Sequence, residues 1–146
     1  MIESEDCFRR MFEDSAVGMV LGDESGRYLK VNRAMTEILG YSREELLCMG
    51  TQDTTYKGDI TPDSDIARQL WTGERDSFHI EKRYIHKDGH VIWGDVTVSA
   101  IHDSNGKTNF VFWQLVDITE RKKAEGELEQ KQYYLERAQE IGIIGT

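Results

Sequence analysis

The first part of the chain changes from helical to strand-like spacing of its apolar residues. Phe8, Met11 and Phe12 share one helical face, which predicts an N-terminal helix within residues 1–15. Residues 16–23 and 27–31 flank the turn at Gly26 and are predicted to pair as a β-hairpin. A helix followed by two strands is therefore expected.

Helical spacing returns directly after this hairpin. Asn32 is placed to cap a helix whose apolar face carries Met35, Ile38 and Leu39. Gly40 supplies the left-handed residue that commonly ends a helix. We therefore predict a short helix bounded by Asn32 and Gly40.

Two further helix starts follow, separated by an irregular stretch. Ser42 and Glu45 have the spacing of a capping box, which predicts a second short helix. Residues 48–65 are rich in threonine, glycine and aspartate and are predicted to form a loop with one helical turn. Another helix is expected to begin near Asp63, with Pro62 in its first turn.

The remaining strands follow a period of two. Residues 77–86 and 91–101 flank the dipeptide Asp88-Gly89, which is typical of a hairpin turn, and residues 109–116 form a last strand. Strands grouped around a helical middle predict an α+β fold. Its sheet is expected to be five-stranded and antiparallel, with short helices on one face and a helix at each end of the chain.

The last strand is apolar on both faces. Val111, Trp113 and Leu115 alternate with Phe112 and Val116, and the polar Gln114 is the exception. A sheet with one face in water would carry polar residues at every second position. The outer face is therefore predicted to be covered by the N-terminal helix or by a second subunit.

Charge and composition limit the partners. Among 146 residues, 27 acidic and 18 basic side chains give a net charge of −9. This charge repels phosphate backbones, so no nucleic-acid partner is predicted. No apolar run approaches the roughly 20 residues of a membrane helix, and the acidic N-terminus does not resemble a signal peptide. We expect a cytoplasmic domain without direct membrane contact, although its parent protein could be membrane-anchored.

Three segments in this order resemble a known family. They are FEDSAVGMVLGDESGRYLKVNRAMTEILGYSREEL, EKRYIHKDGHVIWGDVTVSAIHDSNGK and DITERKKAE, which lie within residues 8–125. The chain resembles a PAS domain with its C-terminal PAC segment. This resemblance implies a sheet of spatial order 2-1-5-4-3 whose concave face and short helices enclose a small pocket.

The resemblance also implies a domain organisation. Residues 16–118 would form the sensory domain and residues 119–140 a linker, or signalling, helix. Residues 134–146 resemble the beginning of another PAS domain, so residues 141–146 are expected to start a following module. The chain would then be a piece of a longer receptor whose output domain, a histidine kinase or a GGDEF-type diguanylate cyclase, lies outside it.

The pocket implied by the resemblance would be lined mainly by apolar residues. Gly94 is expected to face inward, where flavin-binding relatives present a ligand-contacting side chain, and to leave room there. The pocket candidates are Val20, Met35, Leu39, Ile66, Leu70, Gly94, Val96, Trp113 and Leu115. No cofactor is required, and an unidentified small molecule stays an open alternative to a packed core.

Specific cofactor and enzyme chemistry finds little support in the sequence. Cys48 lies too early for the flavin adduct, and the segment corresponding to the haem-binding helix of relatives lacks histidine. The four histidines lack the regular local spacing of a metal site built from one element, so no metal site is predicted. No P-loop, G-x-S-x-G or H-E-x-x-H sequence occurs, so the fragment is predicted to be non-catalytic. The rival hypothesis is a haem- or flavin-binding redox or gas sensor.

The register of one strand is ambiguous. Glu81 and Arg83 could face inward and grip a charged ligand, or face outward as a solvated ladder. We favour the outward arrangement.

The D-I-T element marks the exit from the domain. Thr119 is expected to cap the helix, Asp117 to hydrogen-bond or pair with a basic residue, and Ile118 to anchor the turn in the core. The resemblance implies that these residues relay changes in the pocket to the following helix.

The helix after this element carries a broken apolar seam. Ala124, Leu128, Leu135 and Ala138 lie on one heptad face, which Arg121 and Lys131 interrupt. Polar seam residues weaken a coiled coil and keep alternative packings close in energy. We predict a homodimer formed through the N-terminal helix, the outer sheet face and this helix, working with adjacent PAS or output domains as a sensory and dimerisation module.

Overall fold

The computed structural model describes the backbone of residues 2–143 and the side chains of residues 4–60 and 64–143. The helices are α1 (Ile2–Asp14), α2 (Arg33–Leu39), α3 (Arg43–Leu47), α4 (Thr51–Thr54), α5 (Ile60–Thr72) and α6 (Thr119–Glu140). A 3₁₀ turn occupies Lys57–Asp59. The strands are β1 (Gly18–Gly22), β2 (Tyr28–Val31), β3 (Ser77–Ile85), β4 (Val91–His102) and β5 (Thr108–Asp117).

The five strands form one antiparallel sheet in the order β2-β1-β5-β4-β3. The predicted α+β fold and strand order are therefore confirmed. The central strand β5 pairs Trp113 with Val20 on one side and with Val98 on the other. These three side chains lie in one row on the inner face, so the strands on both sides of β5 share one core.

Asn32 joins three elements at the start of α2. Its side-chain oxygen accepts hydrogen bonds from the backbone N–H groups of Met35, at 3.1 Å, and Met19, at 2.9 Å. Its amide donates to the carbonyl oxygens of Phe12, at 2.8 Å, and Val17, at 2.9 Å. The predicted cap is confirmed, and it also ties the end of α1 to β1 and α2.

Several predicted boundaries differ from the structure. The N-terminal helix, Ile2–Asp14, lies within the predicted range of residues 1–15, but polar residues continue it beyond both ends of the apolar face of Phe8 to Phe12 that predicted it. The stretch of residues 48–65 contains α4 and the 3₁₀ turn, and this turn runs directly into α5, which begins three residues before Asp63. The expected start of a following module, at residues 141–146, lies partly outside the described residues.

The core lies between the inner face of the sheet and helices α2, α3 and α5. Its fully buried apolar side chains are Val20, Leu39, Leu46, Leu70, Val96 and Leu115, each 0% exposed. Within residues 2–143, none of the helices has the length and hydropathy needed to cross a bilayer.

Candidate functional site

The predicted pocket residues meet on the inner face of the sheet. All except the half-buried Ile66 are buried, and the set comprises Val20, Met35, Leu39, Leu70, Gly94, Val96, Trp113 and Leu115. The structure thus brings the candidates together as a hydrophobic core. Their role as ligand contacts stays a prediction.

Gly94 faces inward as predicted, but neighbouring side chains fill the space beside it. A Cβ atom added to Gly94 would lie 2.9 Å from the Tyr84 ring and would overlap the Leu115 side chain. Its role of leaving room for a ligand stays a prediction; in this structure, Gly94 serves the packing of the core. It allows Tyr84 and Leu115 to pack against the backbone of β4.

The ambiguous register of β3 has a definite outcome. Glu81 and Arg83 face outward, as favoured above, and this places Lys82 on the inner face with 3% of its surface exposed. Its Nζ donates to Thr55 Oγ1 at 3.0 Å and to Thr51 Oγ1 at 3.3 Å. Lys82 lies between the two residues with the ambiguous register and is absent from the sequence prediction. Phe78 and Tyr84, which share its alternation, were the available signal.

The inner face therefore has a polar end as well as an apolar centre. The Tyr28 hydroxyl lies 2.7 Å from Thr54 Oγ1, and the Lys82 ammonium lies 4.7 Å from the Tyr84 ring centroid. Buried polar groups stabilise the fold only when they are hydrogen-bonded, as these are.

An ion pair joins the segment before α5 to the outer face of β3. Arg83 Nη2 donates to Asp59 Oδ1 at 2.9 Å, and the Arg83 N–H donates to Asp59 Oδ2 at 2.7 Å. The hydrogen bond from the guanidinium lowers the pKa of Asp59 and raises that of Arg83. The guanidinium also lies 4.2 Å from the Tyr56 ring centroid and 5.4 Å from that of Trp93.

The D-I-T element is bonded to the backbone of Trp93. The Ile118 N–H donates to the Trp93 carbonyl at 2.9 Å, and the Trp93 N–H donates to Thr119 Oγ1 at 3.0 Å. The Thr119 hydroxyl in turn donates to Asp117 Oδ1 at 2.6 Å. These bonds extend the β4–β5 pairing into the first turn of α6.

One predicted role in this element is wrong. Ile118, without a side-chain hydrogen bond, is the N-cap of α6, and Thr119 is the first helical residue. The Thr119 hydroxyl accepts from β4 and donates to Asp117, so it does not cap the helix. The expected hydrogen bonding of Asp117 is found, and Ile118 is 7% exposed, as an anchoring residue should be.

The first turn of α6 is also held by charged side chains. Glu81 accepts hydrogen bonds from Arg121 and Lys122, each at 2.5 Å. The bond from Lys122 is the main reason that the pKa of Glu81 is lowered. Lys122 Nζ also lies 4.9 Å from the Trp93 ring centroid. Trp93 thus contacts α6 through both its backbone and its ring.

The rest of α6 extends away from the sheet. None of the residues of this helix is buried, and Leu128 and Leu135 are 66% and 48% exposed. Arg121, which was predicted to interrupt the seam, is instead engaged by Glu81 of its own domain. The apolar seam beyond it has no cover in a single chain.

The outer face of the sheet borders a groove of about 820 Å³ beside α1. α1 was one of the two predicted covers, but it covers this face incompletely, because Leu29 and Ile101 of the sheet remain 38% and 40% exposed, and Phe8 of α1 is itself 71% exposed. The apolar residues that line the groove include Phe8, Phe12, Leu21, Leu29, Ile101, Phe110 and Phe112.

Comparison with known families identifies the fold and its relatives. The model of the PAS domain family matches residues 16–120. The chain belongs to the PAS domain family. The match covers the whole sheet and ends inside the first turn of α6, so the D-I-T element lies within the PAS domain.

Curated relatives of this PAS domain are signalling proteins. It is 36% identical over 143 residues to the "Probable diguanylate cyclase DgcE" of Escherichia coli, covering 98% of this chain and 13% of that protein. It is 29% identical to the "Sensor histidine kinase TmoS" of Ectopseudomonas mendocina, covering 97% of this chain and 15% of that protein. The chain thus spans a small part of each relative.

Solved structures confirm the fold. A PAS domain from Colwellia psychrerythraea superposes with a TM-score of 0.73 at 21% identity, covering 82% of this chain and 99% of that one. The PAS domain of an HTR-like protein from Haloarcula marismortui gives a TM-score of 0.68 at 19% identity, covering 80% and 93%.

Proposed function

We propose that this PAS domain is a sensory and dimerisation module that transmits changes in its core, or in a neighbouring module, through the D-I-T element to an output domain. By analogy with its relatives, the output would be a histidine kinase or a diguanylate cyclase. The observation that carries the proposal is the bonding of Ile118 and Thr119 to Trp93.

The transmission step follows from the position of Trp93 in β4. Gly94, its neighbour, packs on the inner face against Leu115 and Tyr84. A displacement of the core at Gly94 would move the adjacent Trp93 peptide groups, which hold the start of α6. A change of core packing would therefore reorient the helix, because packed cores switch between discrete arrangements.

The place proposed for a small-molecule ligand is between the apolar centre of the core and its polar end at Lys82. No cofactor is required for this mechanism, and an unidentified small molecule stays an open alternative to a packed core without a ligand. The filled space beside Gly94 favours a packed core over the rival hypothesis, a bound haem or flavin. A visible absorbance spectrum of protein expressed with added haem and flavin precursors separates the two, since a retained chromophore would overturn this choice.

The proposed partner at the outer face is a second copy of the chain. The groove beside α1 and the exposed seam of α6 lie at opposite ends of the domain's sequence, and both present apolar side chains. A parallel dimer would cover both surfaces at once. Burial of apolar area of this kind drives most protein association.

The dimer is tested by sedimentation of the 146-residue chain and of two charge variants. Phe112→Glu places a carboxylate in the groove and is expected to shift the protein towards monomer. Asn105→Glu adds the same charge in the exposed β4–β5 turn and should leave association unchanged. If the two variants associate to the same extent, and circular dichroism shows that both are folded, the result would contradict this interface.

The relay is tested in a chimera in which this chain replaces the matching segment of the Escherichia coli relative. Diguanylate cyclase activity is expected to change in Thr119→Val, which lacks the hydroxyl, and to be kept in Thr119→Ser. Unchanged activity in Thr119→Val would exclude relay through this bond, provided that hydrogen exchange shows a loosened first turn of α6.

We propose that the domain lies in the cytoplasm. Cys7 and Cys48 are exposed, free thiols, as is usual in a reducing compartment. The parent protein could still be anchored in a membrane through other segments.

A further inference from the structure

The turn between β3 and β4, residues 86–90, gathers three groups that bind metal ions in proteins. Ligand atoms of His86, Asp88 and His90 all lie within 4.8 Å of one another. His86 Nδ1 is 3.3 Å from Asp88 Oδ1, and His90 Nδ1 is hydrogen-bonded to the same oxygen. The three side chains therefore converge on one side of the turn.

The backbone of the turn produces this convergence. The His86 N–H donates to the His90 carbonyl at 2.9 Å, and the Gly89 N–H donates to the His86 carbonyl at 2.9 Å. Gly89 has a φ of 98°, which glycine adopts without strain. The two imidazole rings stack with centroids 4.4 Å apart and an angle of 23° between their planes.

The turn is held in place by α2. The His86 ring lies against Gly40, where it leaves no room for a Cβ atom, and 22% of its side chain is exposed. The Lys87 N–H donates to the Leu39 carbonyl at 2.9 Å. The Asp88 N–H donates to His86 Nδ1 at 3.1 Å, so this nitrogen presents a lone pair towards Asp88. A bound ion would compete with this N–H for the same lone pair.

We propose that His86, Asp88 and His90 bind a divalent transition-metal ion such as Zn²⁺, Ni²⁺ or Cu²⁺, with water completing its coordination. Two imidazoles and one carboxylate suit these ions, whereas Mg²⁺ and Ca²⁺ prefer oxygen ligands alone. Two ligands at about 2.1 Å from a tetrahedral ion lie roughly 3.4 Å apart, close to the separation of His86 Nδ1 and Asp88 Oδ1. Binding would replace the His90–Asp88 hydrogen bond by two coordinate bonds.

This site is separate from the proposed relay. The turn lies at the end of the β3–β4 hairpin, and its docking partner is the end of α2, while Trp93 and the D-I-T element lie further along the sheet. Metal binding can therefore be measured without any output domain. An absence of metal binding would leave the relay proposal unaffected.

The test is calorimetric titration of the full chain, without a histidine tag, with Zn²⁺. One ion per chain is expected. His90→Ala should weaken binding by at least about tenfold, since even outer-shell changes cost this much. The matched control is His102→Ala, whose imidazole lies 3.5 Å from the carboxylate of Asp76, and it should bind within twofold of the original chain.

A second measurement counts the nitrogen ligands. Electron paramagnetic resonance of the Cu²⁺ complex is expected to show two nitrogen donors in the original chain and one in His90→Ala. Asp88→Asn keeps an oxygen for the His90 N–H, removes the charge and should also weaken Zn²⁺ binding. Equal Zn²⁺ affinity of the original chain and His90→Ala, or no Zn²⁺ binding by the original chain, would overturn the proposal.

Discussion

The two faces of the sheet are built from alternate residues of the same strands but meet different surroundings. On β5, Val111 and Leu115 point inward and are 1% and 0% exposed. Val116 and, on β4, Ile101 point outward and are 46% and 40% exposed. Both faces carry apolar side chains at these positions, so hydrophobicity alone does not decide which of them a single chain can bury.

The difference lies in what covers each face. Helices α2, α3 and α5 close the inner face, while α1 only borders the outer one. Burial on the inner face contributes to the stability of one chain. The apolar side chains of the outer face would be buried when the domain associates with a partner, since large exposed apolar patches usually mark interaction sites. Mutations on the two faces should therefore affect different measurements.

The largest expected effect comes from the inner face. Leu115→Ala should lower the free energy of unfolding by about 2–5 kcal/mol, because it leaves a cavity in a fully packed region. Its sequence neighbour Val116→Ala should cost less than about 1 kcal/mol, as for other exposed positions. Urea denaturation at low protein concentration measures both. Equal losses would show that the outer face is buried in the single chain.

The second largest loss of stability is expected from filling the space beside Gly94. Gly94→Ala should cost about 1–3 kcal/mol, because the added methyl group meets Tyr84 and Leu115. Gly126→Ala is the matched control on α6, where nothing lies within 4 Å of an added Cβ atom. It should preserve stability or raise it, since alanine favours helix. A Gly94→Ala variant as stable as the original chain would show that a cavity opens there in solution.

A smaller effect is expected where the sheet meets α6. Thr119→Val removes the acceptor for the Trp93 N–H and the donor to Asp117, which should cost about 1 kcal/mol. Thr119→Ser keeps the hydroxyl and should lose less. Thermal unfolding of both variants and the amide exchange rate of Lys122 measure the effect. Equal exchange rates in Thr119→Val and the original chain would contradict the expected loss.

Local signals in the sequence predicted much of the fold. Asn32 and Gly40 bound α2, and Ser42 and Glu45 form the expected capping box at the start of α3. Each depends on residues a few positions apart, which a sequence displays directly. The inward position of Gly94, in contrast, came from the family resemblance.

The missed features depend on contacts between distant parts of the chain. Lys82 is buried beside Thr51 and Thr55, which lie 31 and 27 positions earlier. The Thr119 hydroxyl accepts from Trp93, 26 positions before it. No local rule reports such partners, so the cap predicted at Thr119 was wrong and the inward lysine was overlooked.

The smallest expected effect is the pH dependence of the charged side chains on the outer face of β3. The pKa values of Glu81 and Asp59 lie below their usual 4.5 and 3.8, chiefly through hydrogen bonds from Lys122 and Arg83. A lowered carboxyl pKa contributes stability that is complete above the unfolded value and is lost as the pH falls through the folded value. Amide exchange in the first turn of α6, corrected for the intrinsic rate, should therefore accelerate below about pH 4.5. In Glu81→Gln, amide exchange in this turn should be faster already at pH 7, and its rate should change less on acidification. The control is Glu44→Gln, on the exposed face of α3, which should exchange like the original chain at each pH. An acid response that Glu81→Gln leaves intact would show that other groups hold α6 to the sheet.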